Sequence, residues 1–136
     1  MGTIRAEGIA LQQTNSEIVS NDSEVLILVD ATDQVIGYMD KSSCHNGTGV
    51  LHRAFSLFVF NPQGALLLQQ RAVDKRLWPG YWSNSCCSHP RRNEALPLAV
   101  RRRCKQELGF TIPVQYLYKF EYHARYGEAG SEHELC

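Results

Sequence analysis

No apolar run in this 136-residue chain approaches the ~20 residues needed to span a bilayer. Net charge is missing as well: 14 Lys and Arg stand against 14 Asp and Glu. That balance argues against a nucleic-acid-binding surface built on bulk positive charge. The stretch from Met1 to Ser20 is polar and lacks the apolar centre of a secretory signal. Ala6 stands where a myristoylation signal needs Ser or Thr. The five cysteines are Cys44, Cys86, Cys87, Cys104 and Cys136, an odd number without zinc-ribbon spacing. With no secretory signal they do not read as a disulfide framework. Reduced thiols in the cytoplasm are expected, where Asn46-Gly47-Thr48 is only an idle glycosylation match. Internal repeats and low-complexity tracts are also absent.

What is present fits one folded domain. Hydrophobic residues make up 43% and charged residues 21% of the chain, ordinary globular usage. A second domain has no room at roughly 100–200 residues per domain. The zero net charge hides a segregation. Residues 51–110 hold ten basic and three acidic side chains, whereas residues 1–50 hold two basic and seven acidic. Chance and a solvated helix face account for such a cluster.

Residues 1–23 show no periodicity and read as a mobile N-terminal tail, with the folded domain spanning 24–136. Glu24 to Val29 and Val35 to Asp40 predict a hairpin. Lys41 to Gly49 reads as a polar loop, and Val50 to Phe60 as a longer strand. Asn61-Pro62-Gln63-Gly64 is a turn signal that returns the chain as Ala65 to Arg71. Tyr81 to Pro90 is irregular. From Ala95 to Leu108, the residues Leu96, Ala99, Val100, Cys104 and Leu108 recur at helical spacing. Pro97 is tolerated only in the first turn, and Gly109 supplies the stop. Strict alternation at Val114, Tyr116, Tyr118, Phe120 and Tyr122 predicts a strand. Strands, one helix, then strands again indicate an α+β fold with a mixed sheet.

Several residue groups suit chemistry. Arg103 and Glu107 lie four apart on one helix face, which by itself needs only an ordinary ion pair worth a few tenths of a kcal/mol (about 0.2–0.5). The histidines are His45, His52, His89, His123 and His133. A lone histidine is more often structural than a ligand. In Glu132-His133-Glu134, however, a strand places both carboxylates on one side. Imidazoles with carboxylates suit a divalent first-row metal. Cys87 lies two residues from His89, among small polar residues and near arginines, the setting of a reactive thiol. Its neighbour Cys86 points the other way in an extended chain and reads as an inert core thiol.

Together these pieces resemble the type I isopentenyl-diphosphate isomerases of the Nudix superfamily. The resemblance runs from about Glu24 to Cys136. It rests on Lys41-Ser42-Ser43-Cys44-His45, Leu51-His52-Arg53-Ala54-Phe55-Ser56, Leu67-Leu68-Gln69-Gln70-Arg71, Asn84-Ser85-Cys86-Cys87-Ser88-His89-Pro90, Arg102-Arg103-Cys104-Lys105-Gln106-Glu107-Leu108-Gly109 and Glu132-His133-Glu134, in that order. It implies an α/β/α Nudix sandwich that interconverts isopentenyl and dimethylallyl diphosphates by moving a double bond. Cys87 and Glu134 would be the proton-handling groups on opposite faces, with Tyr122 hydrogen-bonding the carboxyl. A metal, Mn²⁺ or Zn²⁺ or Mg²⁺, would be held by His45, His52, His89, Glu132 and Glu134. Lys41, Arg71, Lys75, Ser88 and Arg103 would surround the diphosphate. A Mg²⁺ would bridge that diphosphate to Glu107 and the Cys87 carbonyl. The partner is then a small isoprenyl diphosphate, with no nucleic acid or membrane, and the chain a monomer or weak dimer.

Against the Nudix signature, Glu94, Arg102, Glu107 and Gly109 match, while Ser88, Arg103 and Gln106 replace a Gly and two Glu. Losing those carboxylates disfavours pyrophosphohydrolysis, and the isomerases share the same losses. The family also continues beyond its Glu-x-Glu motif, adding sheet, helices and a tryptophan over the substrate. Here the sequence stops two residues after Glu134, so the resemblance implies missing C-terminal elements. Trp78 and Trp82 belong to other motifs and do not replace that tryptophan. Two other readings compete: a Nudix hydrolase of a nucleotide-linked diphosphate, and a non-catalytic metal-binding fragment.

Overall fold

The computed structural model describes residues 23–126 and 132–135, with Tyr126 and the last four residues as backbone only. The tail expected over 1–23 therefore lies almost wholly outside the described residues.

The predicted hairpin is present. Strand β1 (Val25–Val29) pairs antiparallel with β2 (Val35–Asp40). The Asp30 carboxylate organises its turn, accepting from the Thr32 and Gln34 amides at 2.9 and 3.0 Å. Such Asx geometry is why Asp favours this position. Residues 51–53 lie along the other edge of β1: Arg53 N–H donates to the Ile27 carbonyl at 2.8 Å, and Leu28 bridges His52.

The segment read as a polar loop begins with a helix, α1 (Lys41–His45). Asp40 caps it, accepting from the Ser43 amide at 2.8 Å and from the Ser43 hydroxyl at 2.7 Å. Five residues are too few to display a helical period, so only the cap residues carried a signal. The long strand expected over 50–60 is pared down to β3 (Phe55–Leu57), flanked by single bridges at His52 and Phe60. The 61–64 turn forms as expected. Gly64 has φ 80° and donates to the Asn61 carbonyl at 2.9 Å. Short strands β4 (Gln69–Gln70) and β5 (Trp82–Ser83) pair with each other, and β6 (Cys86–Ser88) pairs antiparallel with β3.

Helix α2 (Leu96–Leu108) lies one residue inside the predicted start, with Pro97 in its first turn. It packs across β3 and β6. Ala99, Cys104 and Leu108 join Phe55, Leu57 and Cys86 in the core, and Leu96 and Val100 flank it. Gly109 ends the helix at φ 80°, donating to the Lys105 carbonyl at 3.1 Å. A Cβ at Gly109 would meet nothing within 4 Å, so the penalty for a side chain is backbone strain alone. Gly109→Ala is expected to lower stability by about 1–2 kcal/mol, and Gly109→Asn by less, measured by denaturant titration.

One expectation fails. Residues 109–122 form no strand; β7 (His123–Tyr126) begins only afterwards and pairs with β8 (Glu132–Leu135). Val114, Tyr116, Tyr118 and Phe120 are all exposed. Alternation favours an extended chain, but a strand also needs a neighbour for its main-chain hydrogen bonds, and no described strand lies alongside. A side-chain contact does hold this segment: Lys119 reaches Asp33 at 3.2 Å, which also pairs with Arg53 at 2.8 Å. The described strand pairs are all antiparallel, in four two-stranded ladders. The α+β class is as expected, while the mixed sheet is not seen among the described residues.

Candidate metal and diphosphate site

Three of the predicted ligands meet. His45 comes from the end of α1, His52 from the segment on β1, and His89 from just beyond β6. Their ring centroids lie 5.1 to 6.3 Å apart, and one ligand nitrogen from each falls within 4.8 Å of the others. All three are buried. His52 Nδ1 lies 2.7 Å from the Val50 carbonyl. That contact fixes the tautomer with the proton on Nδ1 and leaves the Nε2 lone pair as the one that could ligate a cation. Burial pushes the pKa of His52 down, and that of His89 well down, with the Lys41 charge acting on both. Neutral imidazole is the form that binds a cation, so the donor set fits a divalent metal.

Glu132 and Glu134 are placed only by backbone. They stand opposite Tyr126 and Ala124 in the β7–β8 ladder, and β8 runs beside α1, which carries His45. The side chains of Glu132, Glu134 and His133 lie outside the described residues. Tyr122 stands one residue before β7, its ring 5.8 Å from Phe120. His123 is in β7 and is not one of the three clustered histidines.

Cys87 lies on the exposed face of β6. Its thiol donates to Asn84 Oδ1 at 2.6 Å and lies 3.6 Å from the Ser56 hydroxyl, the residue opposite in the ladder. Cys86 faces the core, where burial and the Glu107 carboxylate push its thiol pKa up. The two adjacent cysteines thus point oppositely, as expected of an extended chain. Cys44 is likewise buried, its pKa raised to about 11. No described cysteine is disulfide-bonded.

The cationic residues gather from several elements. Lys41 opens α1; Arg71 follows β4 and donates from Nε to the Leu77 carbonyl at 3.0 Å; Lys75 is half-buried in the next loop. Ser88 is buried opposite Phe55, on the core side of the ladder rather than the Cys87 side. Arg103 is only 4% exposed and pairs with Glu107 at 2.8 Å. The simple i,i+4 ion pair is therefore present. It is buried because Arg103 stands four residues after core Ala99, on the same face. Gln69 also donates to Glu107, at 3.1 Å. Gln69, Asn84 and Ser56 all lie in motifs quoted above, yet no spacing rule singled out their contacts.

Glu94 and Arg102 form a two-pronged pair, both bonds 2.8 Å, and Glu94 also accepts from the Arg91 amide at 2.9 Å. The Arg102 guanidinium holds the Glu94 carboxyl down to a pKa of about 2, against an ordinary 4.5. A depressed carboxyl stabilises the fold above its unfolded pKa, and that stabilisation is lost as pH falls through the folded value. Wild type is thus expected to lose stability between about pH 4.5 and 2 on this account. Glu94→Gln should be less stable at pH 7 and show a flatter acid limb in denaturant melts across pH. An unchanged acid limb would remove Glu94 from the account.

A buried histidine cluster beside a thiol-bearing strand, braced by a helix with an internal Glu–Arg pair, defines a metal-competent α+β domain of the Nudix type. The chain belongs to the Nudix family: the NUDIX domain model matches residues 50–136. Among curated proteins it is 49% identical over 115 residues to isopentenyl-diphosphate Delta-isomerase 1 of Photorhabdus laumondii, covering 83% of this chain and 65% of that protein. It is 51% identical over 112 residues to isopentenyl-diphosphate Delta-isomerase of Burkholderia multivorans, covering 82% and 63%. For the Saccharopolyspora erythraea isopentenyl-diphosphate Delta-isomerase the identity is 45% over 115 residues, covering 83% and 59%. The chain thus spans 59% to 65% of these relatives' lengths. The crystal structure of DR0079 from Deinococcus radiodurans superposes with a TM-score of 0.58 over 82% of this chain and 71% of that one, at 24% identity. That match bears on the fold. No helix among the described residues is long and apolar enough to cross a membrane.

Proposed function

We propose that this chain carries the catalytic site of an isopentenyl-diphosphate isomerase and moves the double bond between isopentenyl and dimethylallyl diphosphate. The observation that carries the reading is the convergence of His45, His52 and His89, buried and within 4.8 Å at their ligand atoms, next to the strand that bears Cys87. The similarity to named isomerases supports the substrate.

The reaction adds a proton to the terminal alkene carbon and removes one from C2, through a tertiary carbocation-like state. Alkenes are weak bases, so the acid must be strong and the site shielded from water. Cys87 handles the proton on one face and Glu134 on the other. Tyr122 is assigned to hydrogen-bond the Glu134 carboxyl and orient it, as the family resemblance implies. Glu132 and Glu134 would complete the metal site with the three histidines. A cation on a carboxylate favours its ionised form, which makes the protonated acid stronger. Mn²⁺, Zn²⁺ or Mg²⁺ suits the His/Glu site.

The substrate's reacting part is apolar and small, so its diphosphate must supply most of the binding. Lys41, Arg71, Lys75 and Arg103 offer positive charge, each charge-assisted bond contributing about 1.5–3 kcal/mol. Ser88 adds a polar contact. Glu107 and the Cys87 carbonyl are the groups that would hold a Mg²⁺ with the diphosphate. Arg103 and Glu107 neutralise each other in the free chain. The protein is read as cytoplasmic, acting as a monomer or weak dimer, with residues 24–136 as the domain.

The test is formation of dimethylallyl diphosphate from isopentenyl diphosphate, followed by NMR in the presence and absence of Mg²⁺. Turnover is expected only with divalent metal. Release of inorganic phosphate without isomerisation would instead indicate a hydrolase.

A further inference from the structure

Arg76 makes two contacts that none of these roles uses. Nη1 donates to the Ser42 hydroxyl at 3.1 Å, and Nη2 donates to the Asn46 side-chain carbonyl. Ser42 lies in the first turn of α1 and Asn46 is its C-cap. The guanidinium therefore runs along α1 with one hydrogen bond at each end. A planar fork does this because its donors diverge in fixed directions, whereas an ammonium is a single point.

The two elements it joins both border the proposed site, the loop through its diphosphate-binding Lys75 and α1 through the metal ligand His45 as well as Lys41. Helix α1 carries His45 at its end and Lys41 at its start. The loop that carries Arg76 holds Lys75 next to it and buried Leu77 on its other side, and the Leu77 carbonyl accepts from Arg71 Nε at 3.0 Å. The loop is thus tied to the Arg71 side at Leu77 and to the histidine side at Arg76.

We propose that Arg76 is a positioning residue: its two-ended clasp on α1 sets the separation between the loop that carries Lys75 and the three-histidine metal site, to which the proton-carrying Glu134 is assigned as a ligand. This rests on the isomerase reading above. A five-carbon alkene has no polar handle of its own. Where it sits is decided by how far the diphosphate is held from the groups that transfer the proton. Misplacement by about 1 Å is enough to cost on the order of 10²-fold in rate.

Arg76→Lys keeps the charge but reaches only one end of α1. Asn46→Ala removes one end of the clasp and keeps Arg76. Three quantities are to be measured on each variant: kcat and KM for isopentenyl diphosphate with Mg²⁺, the dissociation constant of inorganic pyrophosphate by calorimetry, and bound metal per chain. The expected result for Arg76→Lys is a kcat lower by about 10²-fold, with KM, pyrophosphate affinity and metal content each within about threefold of wild type. Asn46→Ala should fall in between. An unchanged kcat in Arg76→Lys overturns the proposal. So does a parallel loss of kcat, pyrophosphate binding and metal, which marks a merely structural role. A wild-type chain that binds metal and pyrophosphate yet never isomerises overturns the isomerase reading first, and Arg76 loses its function with it.

Discussion

Replacing Cys87 with alanine is expected to lower the rate of isopentenyl diphosphate isomerisation by about 10²–10⁴-fold, the usual worth of one positioned proton-transfer group. The fold should not change. Cys87 is exposed, and among the described residues its side chain hydrogen-bonds Asn84 and lies against the Ser56 hydroxyl, so its truncation leaves no core cavity. Stability should stay within about 0.5 kcal/mol of wild type, as for other surface substitutions. The neighbouring thiol gives the contrast. Cys86→Ala touches the core and the Glu107 carboxylate, so it should cost stability first and rate only through Glu107. Cys87→Ser preserves a hydroxyl donor toward Asn84 but is a far weaker acid than a thiol, so it should remain impaired. Product formation by NMR, together with thermal melts, separates these outcomes. An alanine variant at the wild-type rate would take Cys87 out of the chemistry.

His52→Ala is expected to weaken metal binding by more than about 100-fold, since even losing a partner behind a ligand costs 10–100-fold. The physical grounds are its burial at 1% exposure, the Val50 carbonyl that fixes its tautomer, and its place between the other two rings. The same substitution opens a void beside β1, so a loss of about 1–3 kcal/mol is also expected. The two effects can be told apart with a chelator. A bound metal stabilises only the state that binds it. Wild type should therefore melt at a lower temperature after chelation, while the His52→Ala melt should not respond. Metal analysis of the purified chains checks the first effect. Equal metal content in both proteins would sink the three-histidine site.

Local signals were legible wherever the deciding interaction is local. The α2 period, its first-turn proline and its glycine stop are all reproduced within a residue. The Asn61–Gly64 turn is equally local. The missed helix α1 shows the limit. Its five residues carry no period, and its burial of Cys44 and His45 depends on elements distant in the chain. The exposed stretch through Val114, Tyr116, Tyr118 and Phe120 shows the opposite limit. Its alternation is real, but a ladder needs a second strand, and alternation cannot provide one.

The site divides along the same line. The residue types and their order, from Lys41 through Glu134, point to the proposed chemistry without any coordinates, because metal ligation and diphosphate binding depend on side-chain identity. Sequence also placed Cys86 and Cys87 on opposite faces, since a strand alternates by two. Only the tertiary structure brought His52 to His89 across 36 intervening residues, by pairing residues 51–53 onto β1 and β6 onto β3. It alone buried Arg103 against Glu107 and laid Arg76 along α1. These are long-range contacts set by packing and by strand register. Neither can be read from the neighbours of a residue in the chain.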